Sequence, residues 1–185
     1  MHIISGRYKG LSLSYPTNQK FRPTQNRVRE ALMSILRPVL QEAAVLDLCC
    51  GTGGLGLEAL SQGAATVIFV DQDIQYAKEN IQKIISKYPD AKHTITVVKA
   101  SLSVFFDRHK TPVDIILLDP PWQKTDLYHL ALKHIDQFDI LSPNGVLVCE
   151  HHKSTPMIPT LRLHILSVHT YGDTAITILK RNETP

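Results

Sequence analysis

The sequence predicts an α/β fold: a mostly parallel sheet of seven strands, covered by helices on both faces and ended by an antiparallel hairpin. Three observations predict it. From residue 44 onward, short apolar runs of strand length alternate with amphipathic stretches of helical spacing. The run "VLDLCCGTGGLGLEAL" (45–60) passes from an apolar strand through a glycine loop into a helix. The stretch "LRLHILSVHTYGDTAITILK" (161–180) holds two strand-like runs around Tyr171-Gly172-Asp173 with no helix between them. A hairpin at the edge of a parallel sheet must contain an antiparallel strand.

Each element has its own signal. Residues 2–15 read as two short strands turned by Gly6 and Gly10. In "RPTQNRVREALMSIL" (22–36), Pro23 and Thr24 offer a helix start with Thr24 as N-cap. Val28, Leu32, Ile35 and Leu36 form an apolar stripe, and Pro38 marks the expected end. "AVLDLC" (44–49) is the first core strand, and "LGLEALSQ" (55–62) a helix closed by Gly63. "TVIFV" (66–70) follows, then a helix capped by Asp73 that carries Ile74, Ala77, Ile81 and Ile84. "TITVV" (94–98) precedes a short helix with Leu102, Phe105 and Phe106. "VDIILLD" (113–119), a helix near 125–136 and "GVLVCE" (145–150) complete the alternating part.

The 185 residues suit one domain, 1–185, with a basic extension (1–37) ahead of a core (38–185). Hydrophobic content is 43% and charged content 20%, as in ordinary globular chains. No apolar run approaches the ~18 residues of a membrane span, and "MHIISGRYKG" lacks a signal-peptide core. A cytoplasmic protein with no membrane partner is expected. Cys49, Cys50 and Cys149 lack metal or disulfide spacing and read as small buried residues. His151 and His152 read as loop residues, and no metal is expected. A monomer is expected. The net charge of +3 is uneven. Residues 1–37 carry Arg7, Lys9, Lys20, Arg22, Arg27, Arg29 and Arg37 against Glu30 alone, hence +6; the remaining 13 basic and 16 acidic residues give −3. A basic segment on a mildly acidic body points to a polyanion, with nucleic acid ahead of chance.

Gly51, Gly53 and Gly56 satisfy G-x-G-x-x-G, and Asp71 lies 20 residues beyond Gly51, where a carboxylate can bond both hydroxyls of a ribose. Asp47 would face the pyrophosphate of a dinucleotide but suits a cofactor with a cationic amino-acid end. S-adenosylmethionine has an ammonium, a sulfonium and no phosphate. The pattern D-x-x-x-G-x-G, Asp47 to Gly53, resembles the first motif of class I methyltransferases, which implies their Rossmann-like fold. The candidate cofactor residues are Asp47, Cys49, Gly51, Gly53, Asp71, Gln72, Ser101 and Asp119.

"DIILLDPPW" (114–122) ends a buried strand in a carboxylate, two prolines and the only tryptophan of the chain. Two prolines stiffen the loop and remove two donors. The Asp119 carboxylate and the Pro120 carbonyl can accept both hydrogens of a planar amine, favouring charge that develops on its nitrogen. Pro121 fixes the turn, and Trp122 can stack on a base. Asp-Pro-Pro-aromatic resembles the fourth motif of amino-methyltransferases, which act on adenine N6, cytosine N4, guanine N2 or a protein glutamine amide. The motif leaves the substrate open among these.

The N-terminal part narrows that choice. "HIISGRYKG", Arg22-Pro23-Thr24, Arg27-Val28-Arg29-Glu30, Gly51 to Gly56, Asp119 to Trp122 and Tyr171 to Thr174 occur in the order of the RsmD family, which the chain resembles over essentially its full length. The resemblance implies S-adenosylmethionine-dependent methylation of a guanine N2 amine in 16S rRNA, position 966 in the usual rRNA numbering, in an assembling small subunit. It implies a target-base loop at Asp119, Pro120, Pro121 and Trp122. Arg7, Lys9, Arg22, Thr24, Arg27 and Arg29 are the candidate RNA contacts; Arg27 or Arg29 could instead pair with a carboxylate or brace the cofactor loop. Three positions depart from the family pattern. Trp122 replaces Phe or Tyr, which resembles D-P-P-W adenine-N6 enzymes; Ser101 replaces a common Asp; His2 replaces an arginine. An adenine-N6 methyltransferase is therefore the alternative, with a non-enzymatic rRNA-binding assembly factor behind it.

Overall fold

The computed structural model describes residues 1–16 and 26–182. Lys20, Arg22, Pro23 and Thr24, and with them the expected N-cap, lie outside the described residues.

The alternating part folds as its patterning requires. After α1 (Asn26–Leu40) come β1 (Ala44–Leu48), α2 (Gly54–Ser61), β2 (Thr66–Asp71) and α3 (Gln75–Lys87). A 3₁₀ turn (Pro89–Thr94) leads into β3 (Ile95–Lys99), α4 (Leu102–Arg108), β4 (Val113–Leu118) and α5 (Asp126–Gln137). The chain then forms β5 (Leu141–His152), β6 (Leu163–Tyr171) and β7 (Thr174–Arg181). One seven-stranded sheet has the order β3-β2-β1-β4-β5-β7-β6. The first five strands in that order pair in parallel; β7 runs antiparallel to both β5 and β6. The strand order reverses between β1 and β4, and such sheets bind ligands beyond the carboxyl ends of the strands at that switch point.

Both sheet faces are buried, and side chains alternate between them. Val45, Val67, Phe69, Ile115 and Leu117 pack with Leu32 and Leu36 of α1, Leu57 of α2 and Ile84 of α3. Leu46, Leu48, Val70, Ile116 and Leu118 pack with Phe105 and Phe106 of α4 and Leu132 and Ile135 of α5.

Four expectations need correction. Residues 2–15 make one isolated antiparallel bridge, His2 to Ser12, where two strands were expected. The backbone donors are divided: Ile3 N, Gly10 N and Leu13 N donate across the segment to the Leu11, Ile3 and Met1 carbonyls, whereas Ile4 N and Ser5 N donate to the Glu58 carboxylate, Arg7 N to the Ser61 carbonyl and Tyr8 N to Ser61 Oγ. The segment thus satisfies its amides partly in a short hairpin and partly against α2. Helix α1 continues through Pro38, because Leu36 and Leu40 both bury on the core and hold the last turn. Proline there loses one helical bond without ending the helix. Strand β5 starts at Leu141 and ends at His152, so His151 and His152 are strand residues. His151 is buried, with Nε2 2.7 Å from Thr177 Oγ1 of β7. Finally, α3 begins at Gln75 with Ile74 in the N-cap position, so Ile74 precedes the helix expected to carry it and Asp73 stands one residue before the cap, its carboxylate accepting from Gln75 N at 3.1 Å.

Gly56 sets how closely α2 approaches the sheet. A Cβ there would lie 2.5 Å from Phe69 Cε1, 2.8 Å from Asp47 Oδ2 and 2.9 Å from Val67 Cγ1. Gly56→Ala should destabilise the protein by about 1–3 kcal/mol through overpacking. Urea unfolding measures it; unchanged stability would show that α2 can shift away freely.

Candidate active site

The turn after β1 is built by two carboxylates. Asp47, inside β1 and 1% exposed, accepts from Gly56 N at 2.9 Å through Oδ2 and so holds the first turn of α2. Asp71, at the end of β2, accepts from Gly51 N at 2.9 Å and from Asp73 N at 3.0 Å. Between these anchors Gly53 sits at φ 75° and donates to the Cys50 carbonyl at 2.7 Å. Cys49 takes φ 58°, which a residue with a Cβ rarely adopts.

Beside this turn, Asp119 N reaches the Leu48 carbonyl at 3.4 Å, continuing the pairing of β4 with β1. Pro121 accepts from Lys124 N at 2.8 Å, closing the loop. The buried Tyr128 hydroxyl, on α5, donates to the Glu150 carbonyl at 2.6 Å and lies 3.5 Å from the Pro120 carbonyl. The Trp122 ring meets the His152 ring edge-on, 5.1 Å between centroids.

These elements enclose a cavity of about 930 Å³, near the upper end for small-molecule sites. Asp47, Cys49, Gly51, Asp71, Gln72, Asp119, Pro120, Pro121 and Trp122 all stand on its wall. Two expected cofactor residues do not. Ser101 caps α4, its hydroxyl accepting from Val104 N at 3.4 Å, and the wall there is Ala100 and Leu102. Gly53 faces inward, where a Cβ would touch Phe69 and Ala77; its contribution is the turn itself. Sequence reasoning missed Tyr128, Lys124, Glu150 and Thr174, the last three on the wall. Glu150 was within reach of it, since "GVLVCE" ends a strand in a carboxylate just as "DIILLD" does.

The RNA candidates separate. Lys9 and Arg27 are exposed. Arg7 is exposed but forks onto Asp90 at 2.6 and 3.0 Å, and its guanidinium carbon lies 5.7 Å from the Tyr8 ring centre and 5.4 Å from that of Tyr88. Arg29 is 1% exposed and faces Glu58, Nε to Oε2 3.5 Å, so it is no surface contact for RNA. It stands on α1 where the apolar stripe meets α2, and its charge is used inside the fold. Arg22 and Thr24 lie outside the described residues.

Charge on the wall favours a cation. Asp47, Asp71 and Asp119 converge on one cavity, a poor lining for a pyrophosphate and a good one for an adenosine carrying positive charge. The Asp71 oxygens keep lone pairs beyond the two backbone bonds, enough for ribose hydroxyls. Burial pushes the Asp47 carboxyl up to about 7, opposed by the Gly56 bond and aided by Asp71. Burial, then Asp71 and Asp119, push the Cys49 thiol up to about 12, so it is a neutral wall residue. Among the described residues no group of three or more His, Cys, Asp or Glu is arranged to hold a metal, and no helix is long and apolar enough to cross a membrane.

The chain resembles known proteins over most of its length. A family model described as conserved hypothetical protein 95 matches residues 1–180. The chain is 33% identical to "Putative rRNA methyltransferase YlbH" of Bacillus subtilis, over 98% of this chain and 99% of that protein. It is 35% identical to "Ribosomal RNA small subunit methyltransferase D" of Escherichia coli, over 81% of this chain and 71% of that protein. A solved structure titled "Putative methyltransferase yhhF from Escherichia coli" superposes with a TM-score of 0.84 at 27% identity, covering 100% of this chain and 99% of that one.

The raised carboxyl of Asp47 has a sign that can be checked. The native protein keeps this proton at pH values where the unfolded chain, with an aspartate near 3.9, has lost it. Stability from this group is complete below about pH 4 and is lost as pH rises to about 7. Asp47→Asn keeps a carbonyl acceptor for Gly56 and cannot ionise. Its Tm relative to wild type should therefore climb between pH 4 and pH 7 in melts without cofactor. A flat difference across that window would place the proton elsewhere.

Proposed function

Since the chain belongs to the family of conserved hypothetical protein 95, the RsmD-type rRNA methyltransferases, we propose that it methylates the exocyclic N2 amine of a guanine in 16S rRNA, with S-adenosylmethionine as donor. The observation that carries this reading is that Asp119, Pro120 and Trp122 share one cavity wall with the clamped glycine turn. The wall that presents an amine is thus the wall that holds the adenosine cofactor.

The cofactor, when bound, supplies an electrophilic methyl group on a sulfonium. Asp71 would hold its ribose and Asp47 its ammonium; Cys49, Gly51 and Gln72 would line its pocket. Asp119 and the Pro120 carbonyl accept the two N–H groups of the target amine and turn its nitrogen lone pair toward the methyl. Positive charge growing on nitrogen is stabilised by the Asp119 carboxylate, and the acidified N–H proton then leaves to solvent. The two prolines limit how far the acceptor carbonyl can move. Trp122 stacks on the extruded base, an interaction worth about 1–3 kcal/mol. Lys9, Arg27 and the remaining exposed basic groups of the N-terminal segment dock the rRNA backbone. A cytoplasmic setting and a partly assembled small subunit follow from such a substrate. Mass spectrometry of nucleosides from 16S rRNA treated with enzyme and S-adenosylmethionine should show N2-methylguanosine. N6-methyladenosine would favour the alternative suggested by Trp122, and no methylated base at all would leave only a binding role.

Asp119→Asn retains one acceptor but loses the charge. Turnover should fall about 10²-fold or more, while affinity for S-adenosylhomocysteine stays within about threefold, because the charge acts mainly in the transition state. Single-turnover rates with calorimetry separate the two; undiminished turnover would remove Asp119 from the chemistry.

Docking and chemistry should also separate. The logarithmic salt slope of RNA affinity is about 0.7–0.9 per phosphate contact. Arg27→Ala should flatten it by about one contact, whereas Trp122→Ala should lower turnover and leave the slope alone, since stacking releases no counterions. A salt titration of rRNA binding for the two variants reads this, and the reverse pattern would refute the assignment.

A further inference from the structure

Arg29 is buried more completely than its contacts explain. Its Nη2 donates to the His2 carbonyl at 2.6 Å and to Asn26 Oδ1 at 3.1 Å. Its Nε meets Glu58 only at the ionic distance of 3.5 Å, and among the described residues neither Nε nor Nη1 has a hydrogen-bond partner. Glu58 has little left to give. Its oxygens already accept from Ile4 N at 2.9 Å, Ser5 N at 2.9 Å and Gln62 Nε2 at 2.8 Å. A buried cation with unmet donors is costly, and each such donor in a native fold calls for a reason.

The reason lies in where the side chain stands. Arg29 is on the wall of the cavity described above, together with Met1, Pro16, Thr52 and Gly54. Met1 packs against the start of α2, its Cε 3.2 Å from where a Gly54 Cβ would be. This is the corner between α1 and the glycine turn. Asp119 and Trp122 come instead from the loop after β4. The wall elsewhere is rich in carboxylates, so this corner is where an anionic group fits.

The geometry points to Arg29 Nη1 as the donor that binds the carboxylate of the cofactor's methionyl end. The assignment rests on the reading of the cavity as an S-adenosylmethionine site. It divides the zwitterion between two buried residues of opposite charge: Arg29 takes the carboxylate, Asp47 faces the ammonium. A planar guanidinium already oriented by His2 and Asn26 needs no reorganisation to make that bond. It also gives a buried arginine in a basic segment a task other than RNA docking.

Calorimetry with two ligands tests it: S-adenosylhomocysteine and its decarboxylated analogue. Wild type should bind the decarboxylated compound about 10- to 100-fold more weakly, as loss of a charge-assisted bond implies. Arg29→Lys keeps a cation beside Glu58 but removes Nη1, and should bring the two affinities to within about threefold of each other. The paired change Arg29→Gln with Glu58→Gln, which removes both buried charges together, should do the same. Thermal melts establish that the variants are folded. If neither folds, the guanidinium resonances of Arg29 in the wild type decide, by shifting with S-adenosylhomocysteine and not with the decarboxylated compound. Equal wild-type affinities, a preserved ratio in the folded variants, or resonances that respond alike to both ligands would overturn the assignment. A preserved ratio with a flatter salt slope of rRNA binding would hand the donor to a phosphate, again against it. Failure of wild type to bind either nucleoside would instead overturn the cofactor reading itself.

Discussion

Two carboxylate-to-amide bonds carry the rest of the site: Asp47 to Gly56 and Asp71 to Gly51. The turn after β1 contains left-handed residues and would sample many conformations if left alone. Fixing an amide at each end of it, from two neighbouring strands, turns a flexible loop into one shape. Helix α2 starts where that shape directs it, and the missing Cβ of Gly56 lets it lie against Phe69 and Val67. On the proposed reading, the carboxylates on the wall also bear on what the cavity accepts: they disfavour phosphate, so a glycine motif that could serve a dinucleotide suits a phosphate-free cofactor.

The N-terminal segment belongs to this construction and is not an appendage to it. Several of its amides are satisfied by Glu58 and Ser61 of α2, the helix that springs from the glycine turn. Arg29 approaches the same Glu58 from α1. The basic character of residues 1–37 is therefore divided between jobs. Arg27 and Lys9 face solvent, Arg7 is shared with Asp90, and Arg29 is interior. The N-terminal segment, α1 and the helix that follows the glycine turn are thus fastened together at one carboxylate, Glu58.

Much of this was legible in the sequence. Alternation of apolar runs and amphipathic stretches is a local property, and β1, β2, β3, β4 and the C-terminal hairpin fall within a residue or two of the predicted limits. The positions of Asp47, Gly51, Asp71 and Asp119 were legible because each stands at, or within three residues of, the carboxyl end of a strand, where chain order largely dictates position. What failed depended on long-range partners. Whether Arg29 points to water or to Glu58 is decided 29 residues away. The amides of Ile4 and Ser5 form no ladder because α2 offers a better acceptor. Pro38 does not end α1 because Leu40 has a core to enter. Ser101 has an intrinsic preference for capping, and the start of α4 satisfied it before any ligand could.

Cys49 brings a different problem into view. Its sulfur shares a wall with the loop proposed to present the amine that receives the methyl, and a thiolate is a far better nucleophile than an amine conjugated to a purine ring. Such an enzyme risks alkylating itself. Burial first, and then the neighbouring Asp71 and Asp119, raise the thiol to about 12, so that at neutral pH the sulfur stays in its unreactive protonated form. On the proposed reading of the cavity, burial first and the wall carboxylates second keep this competing acceptor protonated, and chemoselectivity is a by-product of the environment that shapes the site.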